Sequence, residues 1–166
     1  MGTFENLKQS FAGECQAIRK YSVFAKKAEN EGHQGIARLF RALVISETAH
    51  ADSQLKIMDE VKSTCENLAT AIKVEEYESR GLYPEFIAQA RKENNQKAVE
   101  CFKNVLVGEQ IHFSLLIEAL KEIEAGQDIS LENIFVCGNC GNTTLEKAEK
   151  SCQVCGGAKD KINRID

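Results

Sequence analysis

Apolar residues recur as far as Ala125 at alternating steps of three and four, the period of a helix that buries one face. The pattern predicts four helices. The first runs from Thr3 to Glu31 and stops at Gly32, and the second from Gln34 to Val61. The third starts after the cap candidates Ser63 and Thr64 and continues towards Arg91, with a kink at Gly81 to Pro84. The fourth opens near Asn94 or Asn95 and ends before the C-cap candidate Gly126. Short connections make sequential helices antiparallel neighbours, as in a four-helix bundle. Gly126 to Ser130 reads as a linker, and Ile134-Phe135-Val136 as a short strand.

Each apolar stripe is interrupted near its middle. Glu14 stands between Phe11 and Ile18 in the first helix, and Glu47 and His50 between Leu43 and Ile57 in the second. Glu75 and Glu78 lie between Ala71 and Leu82 in the third, and Glu109 and His112 between Val105 and Leu116 in the fourth. A single Glu on such a stripe ordinarily reaches solvent. Four helices interrupted at matching depth are another matter, because an unpaired buried carboxylate costs several kcal/mol. A net stability of about 5–15 kcal/mol does not carry several of them. No Lys or Arg sits on the stripes to neutralise them, whereas bound cations would. Mixed oxygen and nitrogen donors suit iron or manganese better than calcium or a structural zinc. One Glu from each of two helices with Glu-x-x-His from the other two is the donor set of di-iron carboxylate bundles. Glu47 to Glu109 and His50 to His112 share one sequence offset, as two similar helical hairpins would. Glu78, one turn from Glu75, is either a further ligand or a solvated neighbour. Tyr21, two turns from Glu14, either donates its hydroxyl to a ligand carboxylate or simply packs.

Composition adds exclusions. A formal net charge of -4 leaves no basic footprint for nucleic acid or an anionic membrane. No apolar run approaches the ~20 residues of a membrane span. Met1 to Asn6 lacks the basic and apolar regions of a secretory signal, so the expected location is the cytoplasm. Seven cysteines are an odd number for a disulfide framework in a reducing compartment. Cys15, Cys65 and Cys101 fall in helical sequence and read as small core or boundary residues. The other four form two C-x-x-C-G knuckles, Cys137/Cys140 and Cys152/Cys155, each able to give two thiolates to one tetrahedral ion. Spacing alone does not separate zinc from iron. The di-iron bundle upstream, which needs a source of electrons, shifts the reading to iron.

Taken together, Gly13-Glu14-Cys15-Gln16-Ala17 with Tyr21, Glu47-Thr48-Ala49-His50, Glu75-x-x-Glu78 ahead of Tyr83-Pro84-Glu85-Phe86, Glu109-Gln110-Ile111-His112 and the two knuckles resemble the rubrerythrins. The resemblance implies a mainly α fold: residues 1–130 a ferritin-like di-iron four-helix bundle, residues 131–166 a rubredoxin-like domain with one iron. It implies that Glu78 is the family's additional carboxylate, exchanging with His50 on one iron as that ion changes oxidation state. It further implies reduction of hydrogen peroxide to water, with electrons passing from the four-cysteine iron to the di-iron site. Those electrons would come from reduced pyridine nucleotide through a reductase and a small redox protein such as rubredoxin. Cys15 in place of the usual Ser, Gln153 and Ala158 in place of Pro and Asn142 in place of an aromatic depart from the family pattern without removing a ligand. Two other functions stay open: an oxidase or ferroxidase using dioxygen, and a non-enzymatic protein with a zinc knuckle. The expected assembly is a homodimer or higher homo-oligomer. The fourth helix continues past His112 to about Ala125, which at ~1.5 Å per residue carries the linker roughly 20 Å from the metal ligands. Electrons are therefore expected to cross between subunits of a two-fold dimer, the alternative being a linker that folds back along its own bundle.

Overall fold

The structure is a computed structural model and describes residues 2–129, 133–145 and 150–165. Helix α1 spans Thr3–Asn30 and α2 Gln34–Met58. Gly32, at φ 82°, makes the left-handed turn between them, and the His33 N–H donates back to the Ala28 carbonyl at 2.8 Å. Helix α2 ends short of the expected Val61, because Asp59 adopts φ 56° and its N–H turns back onto the carbonyls of Leu55 and Lys56.

Helix α3, Thr64–Tyr77, starts at a capping box. The Ser63 hydroxyl oxygen accepts from the Glu66 N–H at 3.4 Å, and the Glu66 carboxylate accepts from the Ser63 N–H at 3.2 Å. The predicted kink is a π-helical turn, Glu78–Leu82, which leads into α4, Tyr83–Lys92. Its cause is Pro84, which has no N–H for the carbonyl four residues back. The Tyr83 N–H reaches five residues back to Glu78 instead, giving the wider turn. Helix α5, Gln96–Glu124, is capped by the Asn95 side chain, which accepts from the Ala98 N–H at 3.1 Å.

Strands β1 (Ile134–Cys137), β2 (Thr143–Thr144) and β3 (Ile162–Ile165) form an antiparallel sheet in the order β2-β1-β3. Val136 pairs with Thr143 on one side and with Asn163 on the other. The strand expected at Ile134-Phe135-Val136 is therefore present and runs one residue further. The expected boundary at 130/131, and Ser130 of the expected linker, lie outside the described residues.

Contacts divide the chain into two compact units, Met1–Lys62 and Ser63–Asp166. In the first, α1 and α2 pack as a hairpin around the buried Ala25, Ala28, Ala37 and Ala51. Small side chains at this seam let the two backbones approach. In the second, α3 and α4 pack on α5 around Ile87, Ala90 and Val99. The rings of Tyr83, Phe86 and Phe102 stack about that core at centroid distances of 5.5, 6.0 and 6.2 Å. Cys15 and Cys101 are exposed and Cys65 half-buried, so Cys65 fits the expected core or boundary place and the first two do not. Each directly neighbours a stripe residue, Glu14 or Phe102, and is rotated off the buried face.

Replacing Ser63 removes one partner of the capping box. Ser63→Ala is expected to destabilise the chain by about 1 kcal/mol, read as a lower urea midpoint with an unchanged m-value.

Candidate metal centres

Within Met1–Lys62, α1 supplies Glu14 and α2 supplies Glu47 and His50, and one donor atom from each lies within 4.8 Å of the others. The three-residue step of Glu47 and His50 places both on one helical face, with His50 Nδ1 2.8 Å from Glu47 Oε2. Tyr21 does not donate to a carboxylate among the described residues. Its ring packs against Phe24 and Phe40, at centroid distances of 6.3 and 5.8 Å.

The second unit repeats the arrangement with Glu75 from α3 and Glu109 and His112 from α5, again within 4.8 Å. His112 Nδ1 lies 3.0 Å from Glu109 Oε2 and 3.7 Å from Glu75 Oε2. Burial first, and then the hydrogen bond and charge of Glu109, together raise the Glu75 carboxyl from 4.5 to about 7, with His112 opposing. Glu75 Oε2 is buried with no hydrogen-bond partner. An orphaned carboxylate oxygen among two other donors is what a cation would satisfy, so these residues fit a metal. Glu78 opens the π turn beside this set. Its carboxyl is raised by burial and then by the charge of Glu109. Tyr83, which sequence reasoning gave no role, also belongs to this neighbourhood: burial raises its hydroxyl, and the charges of Glu78 and Glu109 add to the effect.

The four knuckle sulfurs also lie within 4.8 Å of one another. Cys137 and Cys155 Sγ are 3.8 Å apart, and Cys140 and Cys152 Sγ 3.7 Å. A disulfide requires about 2.05 Å. A tetrahedral ion with metal–sulfur bonds of about 2.3 Å sets its sulfurs about 3.8 Å apart, which is the spacing seen. Gly141 and Gly156, each following the second cysteine of its knuckle, take φ 79° and 70°, a conformation costly for any side chain. Burial pushes the Cys140 thiol up to about 12. Cys155 is held down to about 6, first by the Asn139 side-chain amide that donates to its sulfur at 3.3 Å and also by the Gly157 N–H at 3.4 Å. A cation would draw all four to the thiolate form.

Sequence reasoning missed Thr143. Its hydroxyl oxygen, on β2, lies 3.1 Å from His112 Nε2, although the two residues are far apart in sequence. Both belong to Ser63–Asp166, so the knuckle segment does reach the metal set on its own chain's α5. The expectation that it lies out of reach assumed that the chain continues away from the end of α5. The sheet instead returns along that helix.

Comparisons with known proteins agree with this chemistry. The profile of the Rubrerythrin family matches residues 5–120. Rubrerythrin-2 of Clostridium acetobutylicum is 30% identical, covering 96% of this chain and 95% of the relative. Nigerythrin of Nitratidesulfovibrio vulgaris is 32% identical, covering 95% and 84%. Among solved structures, nigerythrin in its mixed-valent state matches with a TM-score of 0.55 at 31% identity, covering 99% of this chain and 87% of that one. Its fully reduced, all-ferrous state gives 0.56 at 30% identity, with the same coverage.

The raised Glu75 carboxyl sets a pH dependence in the metal-free protein. A carboxyl at about 7 when folded and near 4.5 when unfolded keeps its proton longer in the folded state, so its contribution is full below 4.5 and lost as pH rises through 7. Metal-free protein is expected to lose stability across that window, and Glu75→Gln to lose less of it. Urea titrations at pH 5 and pH 8 check both.

Proposed function

The chain belongs to the rubrerythrin family, and on that premise we propose that it is a non-haem di-iron peroxidase, reducing hydrogen peroxide to water with electrons drawn from its four-cysteine iron. The family places it among di-iron oxidoreductases of oxidative-stress defence. Its cofactors are two iron ions in a carboxylate–histidine site and one in the cysteine site.

In this reading Glu14, Glu47, His50, Glu75, Glu109 and His112 are the iron ligands of the helical part, with Glu78 the additional carboxylate that exchanges with His50 on one iron. Cys137, Cys140, Cys152 and Cys155 hold the third ion. When bound, the iron pair supplies two electrons to the O–O bond of peroxide, which with two protons becomes two waters. The chain's own part is to lower the cost of the charge change. Glu75 and Glu109 would gather negative charge around a bound cation, which favours its more positive state, and the His112 imidazole would add a nitrogen donor. The observation that carries the peroxide reading is Glu78 at the edge of the second set, its carboxyl raised by burial and by Glu109. A carboxyl biased towards its protonated form beside the site can give a proton to a departing oxygen. Iron storage would need neither Glu78 nor a cysteine-bound iron.

Electrons enter, on this reading, from reduced pyridine nucleotide through a reductase and a small redox protein of the rubredoxin kind. The protein works in the cytoplasm as a homodimer or higher homo-oligomer. Among the described residues no helix is long and apolar enough to cross a membrane.

Stopped-flow reoxidation of the reduced protein should be much faster with hydrogen peroxide than with dioxygen; the reverse order would make it an oxidase. Glu109→Ala should lose the di-iron centre and keep the red ferric cysteine site, since the four thiolates lie outside α5. Iron counting with the visible spectrum of the variant checks this, and loss of both would contradict it.

A further inference from the structure

We propose that the α1–α2 hairpin is exchanged between two copies of this chain, so that each iron pair is held by Glu14, Glu47 and His50 of one chain and by Glu75, Glu109 and His112 of the partner subunit. The ligand set rests on the proposed function above; the exchange rests on the connection between α2 and α3. Each unit by itself carries half a site. Glu14, Glu47 and His50 gather within Met1–Lys62, and Glu75, Glu109 and His112 within Ser63–Asp166. The hairpin by itself leaves its ligand face uncovered. On the stripe of α2 that carries Glu47, the His50 side chain is 56% exposed, and Ile36 and Ile57 are 50% and 68% exposed. On α3, Val74 and Tyr77 are exposed as well. Among the described residues no large side chain is fully buried. A two-helix hairpin seamed by alanines has too little core to stand alone, because helices in water are stabilised mainly by packing an apolar face. Whatever covers α2 must also bring the other three ligands.

An α3–α5 unit does both, and chain length decides which copy supplies it. Ferritin-like bundles join their two hairpins by one long crossover, since the second and third helices run parallel. Glu47 stands eleven residues before the end of α2, and Glu75 eleven residues after the start of α3. With both carboxylates at the level of the metal, the end of α2 and the start of α3 belong at opposite ends of the bundle. At the helical rise per residue, those ends are about 33 Å apart. Only Asp59 to Ser63 connect the two helices. Drawn taut, that stretch reaches about 21 Å. Unwinding the helix ends would make up the difference, but both ends are pinned. The Asp59 N–H turns back onto the Leu55 and Lys56 carbonyls, and the Ser63–Glu66 capping box fixes the start of α3. A second copy removes the conflict. Its α3–α5 unit meets the hairpin from outside, and the short connection passes from one bundle to the next. Two such connections close a two-fold dimer with two complete sites, and a short hinge that cannot fold back is what favours exchange of elements.

Two full-length variants test this. Glu47→Ala removes a ligand of the hairpin and Glu109→Ala one of the other unit, and each alone should hold no iron pair. Co-expressed with different tags and purified as mixed dimers, they should regain one intact site of two, about half the wild-type di-iron content. Iron counting with the visible spectrum reads this. Sites built within one chain would leave both sites of the mixed dimer defective. Verified mixed dimers that hold no iron pair, yet keep their helical circular dichroism and red cysteine site, therefore overturn the exchange. Wild-type protein serves where a variant fails to fold. Equal amounts of ¹⁵N-labelled and unlabelled chains are unfolded together and refolded, and lysine cross-links from α1 to α5 are read by mass spectrometry. Exchange predicts that about half of these links join a labelled to an unlabelled chain. Links confined to one isotope place the hairpin on its own chain and overturn it. A wild type that binds no iron pair would instead refute the ligand set of the proposed function. The isotope pattern needs no metal and still decides the exchange, in favour if mixed and against if single.

Discussion

Carboxylates set among apolar side chains, with no Lys or Arg paired to them among the described residues, are the constraint on which the helical part of this protein depends. Solvation is too weak there to hold the charge, so a carboxylate either keeps its proton or meets a cation. Glu75 shows the first response, its carboxyl raised to about 7 while Oε2 goes without a partner. The same crowding that is unfavourable in the empty set is what makes it attractive to a metal ion. Stability and metal affinity are therefore linked at these residues.

The π turn follows from a different limit, the missing N–H of Pro84. The Tyr83 N–H bonds to Glu78, and the helix widens between Glu78 and Leu82 without ending. Arg80 within the turn pairs with Glu76 at 2.8 Å and lies 5.3 Å from the centroid of the Phe113 ring on α5, next to His112. The wider turn thus begins at the additional carboxylate and is tied to the helix that carries the histidine.

The knuckles reach their geometry by backbone means. Left-handed glycines at Gly141 and Gly156 let the chain fold over each pair of sulfurs, and the sulfur spacings of 3.7 and 3.8 Å already suit a tetrahedral ion. Asn139 and Gly157 then bias Cys155 towards thiolate. Through Thr143 this rigid segment touches His112, so two metal chemistries that read as separate along the chain meet at one imidazole.

The helices, the Glu-x-x-His pairs and the paired C-x-x-C-G knuckles were legible in the amino-acid sequence, because each rests on residues within a turn or two of one another. Periodicity of 3.6 residues and the fixed reach of a knuckle make such features readable without a fold. The place of the kink was legible for the same reason, since Pro84 removes its donor locally; that the kink is a π turn depended on where the Tyr83 N–H found its acceptor. Tyr21 shows the limit: its spacing from Glu14 allowed a hydrogen bond or a packed ring, and its contact with Phe40 comes from the neighbouring helix. The raised carboxyl of Glu75 depends on burial between helices and on Glu109 of another helix, and the contact of Thr143 with His112 on the return of a sheet along α5. No periodicity records such contacts, because they join residues far apart in the chain, and only the packing of the elements brings them within hydrogen-bonding distance.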